Sequence, residues 1–295
     1  MGFTQQQLVQ NLYLHDIKNF KSLVESTLSK WERDSITPAL QKQASILKYF
    51  QGKTGLALPC FDTFSIHETE ELICRTNMQN LLGKSKELVL NFPSELISSD
   101  ELTIYTLKNS QSIDKIININ MDIDKSFNQN YTQLRTKQIR EWAEHDSNSF
   151  YVCEYNGQFF GLLFTLRLKT DIFEKMMKFE MDERELNIED FASFDERGSN
   201  YMLSFFAMND KAAAMLYIRY YAHVIAHQNV IDEIGANTMM DDVKKLLKNM
   251  SLKYYSNKIV NDTIEIQSYR ETLSDFLASE VVMKIIFSVD DPEDK

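Results

Sequence analysis

The chain has little cysteine, no excess of basic charge and no long apolar run, and each shortage removes a class of protein. Three cysteines, Cys60, Cys74 and Cys153, stand far apart in 295 residues, and no CxxC pair occurs. That is too few for a disulfide framework and the wrong spacing for a structural zinc site or a redox pair. Cys153 lies in an alternating apolar run, where a thiol serves as a small core residue. Reduced thiols point to a cytoplasmic setting. Lys and Arg total 32 against 43 Asp and Glu, giving a net charge of −11 and a pI near 5.0. A protein that tracks phosphates normally shows a basic face, so nucleic acid is not an expected partner. No run approaches the ~18 apolar residues of a membrane span. The stretch "MGFTQQQLVQNLYLHD" lacks a basic segment followed by an apolar one. Neither a membrane nor an export signal is therefore expected.

What is present is an ordinary globular composition, 43% hydrophobic and 25% charged, in a length that suits two domains. Apolar residues recurring at threes and fours predict helices over 4–33, from Pro38 to Gly52, and over 68–84. "GKT" at 52–54 invites comparison with a phosphate-binding loop, but the earlier glycine and the preceding strand of that motif are missing. A helix end and a turn account for it. Polar residues around Pro93 replace the apolar period and mark a boundary. The expected organisation is a helical N-terminal region over 1–93 and an α/β domain over 94–290.

From residue 102 the pattern changes to a strand at 102–108, helices at 110–127 and 131–146, and a hairpin over 149–169. Asn156-Gly157 between alternating runs is the strongest local signal, favouring a type I′ turn. A charged excursion fills 170–198. A strand at 200–208, an apolar helix, a strand at 230–237, a helix at 238–250 and a hairpin turning at Asn261-Asp262 complete the order, before an acidic tail, "DDPEDK", expected to be disordered.

That order resembles the GNAT fold of acyl-CoA-dependent N-acetyltransferases over about two thirds of the chain. The hairpin "YVCEYNGQFFGLLF" is similar to the family's second and third strands, with Gly161 in the second glycine position, and "YMLSFFAM" to its fourth. "NDKAAAMLYI" then falls at the family's pyrophosphate loop and following helix. The resemblance implies an α+β fold, a mixed sheet flanked by helices, and acetyl transfer from acetyl-CoA to an amine of a protein or small molecule. The cofactor would lie on Ala207, Met208, Asn209, Lys211, Ala212, Ala213 and Ala214. A helix N-terminus offers unpaired N–H groups to an anion, and small side chains let phosphate approach the backbone.

Three departures accompany the resemblance. The loop has Lys211-Ala212-Ala213-Ala214 where the family writes Gln/Arg-x-x-Gly-x-Gly/Ala. The family's acid tyrosine has no residue in register, and Tyr254 is the candidate nearby. Its base glutamate has no counterpart inside the strand, and Glu196 just before it is the candidate. These departures keep open an alternative, a non-catalytic GNAT-like module that binds another protein as a regulator or effector. His223 and His227 share a helix face but lack a third metal ligand, and read as core or surface imidazoles. Tyr217, Tyr220 and Tyr221 with Phe205 and Phe206 read as core, or as the lining of an acyl channel.

Overall fold

The computed structural model describes residues 2–85, 87–90, 92–93, 97–98, 101–128 and 134–287. Six helices come first: α1 (Gln5–His15), α2 (Ile17–Phe20), α3 (Glu25–Glu32), α4 (Leu40–Thr54), α5 (Ile66–Leu72) and α6 (Arg75–Leu82). Local chemistry sets their ends. Thr4 and Ser65 form reciprocal capping boxes with Gln7 and Glu68, and Gly55 closes α4 in the left-handed conformation.

The rest is one mixed sheet clothed by helices. Its strands are β1 (Leu102–Thr106), β2 (Ser149–Tyr155), β3 (Gln158–Lys169), β4 (Gly198–Ala207), β5 (Ile231–Thr238), β6 (Lys253–Val260) and β7 (Ile264–Thr272). They lie in the order β1-β2-β3-β4-β5-β7-β6, with β4 and β5 the parallel pair and the others antiparallel. Helices α7 (Ile113–Asn128) and α8 (Thr136–Glu144) link β1 to β2, and α9 (Thr170–Met177) follows β3. Helix α10 (Asp210–Ala226) makes the crossover from β4 to β5, α11 (Asp241–Asn249) precedes β6, and α12 (Leu273–Leu277) and α13 (Glu280–Phe287) close the chain. This is the α+β architecture expected, with strand boundaries within a few residues. Both hairpins turn as read, with positive φ at Asn156 (50°) and Gly157 (73°), and at Asn261 (51°) and Asp262 (58°).

Helices α12 and α13 were not foreseen. Their sequence is apolar but short between breaks, and their role is to bind the N-terminal helices to the sheet. Cys74 N–H donates to the Ile285 carbonyl (2.7 Å), and Gln51 Nε2 donates to the carbonyls of Ala57 (2.6 Å) and Ser274 (2.8 Å). The acidic tail lies outside the described residues. No helix among the described residues is long and apolar enough to cross a membrane.

Helix α10 is the central beam. It is apolar nearly all round, as a helix buried on all sides must be. One face lies on β3 and β4 and the other takes α5 and α6, so Met78, Leu81, Leu216, Tyr220 and Phe276 share one core. His223 belongs there too: it is buried, shares a hydrogen bond with Ser149 Oγ (3.2 Å), and burial pushes its pKa down to about 3. A second core on the other face joins α7, α8 and α9 to the sheet through Ile117, Trp142 and Phe173.

Gly161 makes close approach of α10 to the sheet possible. A Cβ there would stand 2.9 Å from the Phe206 carbonyl oxygen and 3.0 Å from Leu216 Cδ1. Backbone cannot yield as a side-chain tip can. Gly161→Ala is therefore expected to cost about 1–3 kcal/mol, read as a lower urea midpoint at unchanged slope.

Candidate functional site

Strands β4 and β5 run together only from Gly198/Ile231 to Met202/Ala236. Beyond that point they part, and a cavity of about 180 Å³ fills the opening. Its walls mix apolar side chains, among them Met202 and Phe205 of β4, Tyr217 of α10 and Leu246 of α11, with polar ones, among them Asp182, Asn237, Thr238 and Lys258. A second cavity of about 420 Å³ lies between β4, α7 and α8, with Asn120, Met121, Leu134 and Ile139 among its lining. The two share Asp124, Glu183, Leu203 and Ser204. They meet at those residues.

Glu183 is the chemical feature of that junction. It sits on a short 3-10 turn, Glu183–Glu185, capped by Asp182. The hydroxyl of Tyr201, a fully buried residue of β4, donates to its carboxylate. Desolvation raises its pKa, the Tyr201 hydrogen bond opposes that, and the negative charges of Asp124 and Asp182 push it further up. The result is about 7, the range in which a carboxylate can take a proton and give it back at neutral pH.

The residues expected from the sequence fall elsewhere. Glu196 is exposed at the start of β4, where its carboxylate accepts from the Ser193 N–H (3.0 Å) and its carbonyl accepts from buried Arg167 (2.6 Å). At ~3.3 Å per residue, the strand puts it roughly 30 Å from Ala207. Tyr254 lies on the edge strand β6, 52% exposed, against Tyr269. Neither lines a cavity described above. Glu183 was passed over because its surroundings, "MDERELNIED", read as a solvated charged excursion. A carboxylate flanked by apolar Met181 and Leu186 was the available hint.

The candidate cofactor residues do cluster at the turn from β4 to α10, but the turn is already filled. Ala207, Asn209, Ala212, Ala213 and Ala214 are buried. Asn209 Oδ1 accepts from the Ala212 N–H (2.9 Å), and Asp210 Oδ1 from the Lys211 N–H (2.9 Å). Lys211 Nζ donates to the Ile97 carbonyl (2.9 Å). The chain before β1 also lies along β4. Ala207 N–H donates to the Leu88 carbonyl (2.9 Å), Leu90 N–H returns to the Ala207 carbonyl (2.9 Å), and Phe92 N–H reaches the Met208 carbonyl (3.0 Å). Asp242 of α11 holds this segment by accepting from Ser85 Oγ (2.8 Å) and the Glu87 N–H (3.2 Å). A helix end capped by its own side chains, with a carboxylate in its first turn, does not fit a pyrophosphate. The small residues serve packing.

The aromatic set divides. Tyr220 and Tyr221 are core, whereas Tyr217 and Phe205 line the first cavity, with their rings edge to face at 4.8 Å.

No protein-family model and no curated protein matches the sequence. Solved structures with a similar chain path include the NatC complex bound to Gag peptide and CoA (12% identity, TM-score 0.37, 58% of this chain and 98% of that one). An N-acetyltransferase from Staphylococcus aureus Mu50 matches at 12% identity and TM-score 0.35, over 58% of this chain and 97% of that one. FeeM, an N-acyl amino acid synthase from uncultured soil microbes, matches at 9% and 0.41, over 59% and 91%.

The raised carboxyl has a thermodynamic signature. Its folded pKa of about 7 lies above the unfolded value, so the folded state holds the proton more tightly. Stability from this group is greatest below the unfolded pKa of ~4.3 and falls as pH rises through about 7. Urea unfolding at pH 5 and pH 8 should show Glu183→Gln losing less stability than the parent across that interval, by roughly 1–2 kcal/mol. Parallel losses in both proteins would mean that Glu183 titrates normally.

Proposed function

We propose that the chain is an N-acyltransferase, moving an acyl group from a thioester substrate to an amine at the junction of the two cavities. The observation that carries this reading is Glu183, one of the two carboxyls common to both cavities and the one that Tyr201 holds at their junction, whose pKa of about 7 suits it to general-base work. The opening between β4 and β5 takes the acyl end of the thioester, and the cavity beside α7 and α8 takes the amine. Glu183 removes one proton from the ammonium group and passes it to solvent. The nitrogen forms a C–N bond to the carbonyl carbon, the C–S bond breaks, and the second ammonium proton leaves with the thiolate. Ser204, whose Oγ donates to Asn120 Oδ1 (2.7 Å), holds the shared wall in place.

Acetyl-CoA is the donor that the GNAT resemblance implies. With the start of α10 capped from within, the nucleotide end of that donor gains little there, and recognition rests on the acyl and pantetheine end. A second reading, a non-catalytic module that binds a protein partner, is favoured by one observation: the backbones of Leu88, Leu90 and Phe92 bond to the end of β4 and the residue after it, where the fold expects a cofactor.

Thiol release from acetyl-CoA and from the acetyl thioester of N-acetylcysteamine, with a panel of primary amines, separates the readings. The proposal expects kcat/KM for the truncated thioester within about tenfold of that for acetyl-CoA, since remote contacts contribute little. Glu183→Gln is expected to lower kcat by about 10²–10⁴-fold. No thiol release from either donor with any amine would leave the non-catalytic module standing.

A further inference from the structure

Methionine is concentrated around the cavity where β4 and β5 part. Met176 of α9, Met202 of β4, Met181 just before the Glu183 turn, and Met239 and Met240 just after β5 all line it, five of the chain's 13. The polar side chains on the same walls are largely committed within the protein. Asn237 Nδ2 donates to the Met176 carbonyl (3.2 Å), Thr238 Oγ1 accepts from the Met240 N–H (3.1 Å), and Ser204 Oγ donates to Asn120 Oδ1 (2.7 Å). Asp182 accepts from Arg184 (2.7 Å), and Glu183 accepts from Tyr201. Much of what remains for an occupant is thioether, aliphatic and ring surface, the rings being Phe205 and Tyr217.

The volume sets the length of that occupant. A cavity of ~150 Å³ with Leu, Ile and Phe walls is large enough for benzene, and this one measures about 180 Å³. An acetyl group, with its two carbons, would leave most of the space without contacts. Unbranched thioether side chains also adapt to the shape of what they enclose, as branched ones cannot. We infer that the acyl group transferred is a medium-length chain of about four to six carbons, lodged among these methionines, rather than acetyl. The inference rests on the acyl-transfer reading and names the class of its donor.

Calorimetry on the full chain, with no amine present, tests it. The ligands are the acetyl, butyryl and hexanoyl thioesters of N-acetylcysteamine. Each added methylene should tighten binding about fourfold, so hexanoyl should bind roughly two-hundredfold tighter than acetyl. Val243 of α11 also lines the cavity, and Val243→Phe should remove most of the step from butyryl to hexanoyl by occupying the space. Equal binding of acetyl and hexanoyl overturns the inference; thiol release from the acetyl donor would then leave acyl transfer in place. A gain that survives Val243→Phe puts the chain elsewhere and overturns it as well. A gain that Val243→Phe removes, with no thiol release in the presence of any amine, supports the chain site and removes the transfer reading.

Discussion

Everything at the candidate site depends on the separation of β4 from β5 after Met202 and Ala236. A parallel pair that stops bonding midway leaves backbone donors and acceptors on both strands, and buried backbone groups must find partners. The protein meets that demand differently along the opening. At the far end, Leu88 and Leu90 bond to both backbone groups of Ala207. Nearer the fork, the space is lined by side chains of β4, α10 and α11 and stays open as a cavity. The fork therefore creates the cavity and also requires the segment that closes its outer end.

The same fork explains why one carboxylate is so strongly perturbed. Tyr201 stands on β4 just before the strands part, and its hydroxyl is committed to Glu183. The chain from α9 must cross the opening before it reaches β4, which brings the Asp182–Glu185 turn over the gap. Arg184 pairs with Asp182, and its charge offsets only a small part of the cost at Glu183. Desolvation outweighs the Tyr201 hydroxyl and Arg184 together, and the charges of Asp124 and Asp182 add to it. Burial thus determines which acid in this charged stretch is perturbed.

Much of the fold was legible in the sequence because its signals are local. Asn156-Gly157 and Asn261-Asp262 specify turns through backbone conformation alone, and the amphipathic periods of α7 and α8 need no tertiary knowledge. The site was less legible because its residues become special only through distant partners. Glu183 depends on Tyr201, and Asn209 on a helix end that it caps together with Asp210. The alanines at 212–214 carried the opposite lesson. Small residues at a helix start are compatible with an approaching phosphate or with an approaching helix, and here Ala212, Ala213 and Ala214 are fully buried. Helices α12 and α13 escaped notice since their apolar residues answer to the N-terminal helices, although Thr272 caps α12 and Ser279 Oγ accepts from the Val282 N–H (3.4 Å) at the start of α13.

Filling the start of α10 has a consequence for how any acyl donor is recognised. Binding energy drawn from a remote nucleotide is ordinarily available to position the reacting thioester. In this chain Asn209 and Asp210 satisfy the first amides themselves, and Asp210 places negative charge where an anion would gain from the helix dipole. A net charge of −11 works in the same direction at long range. The cavity beside this turn is lined by Phe205, Tyr217 and Leu246. Because the two cavities share the walls Leu203 and Ser204, a ligand in one would press on walls of the other.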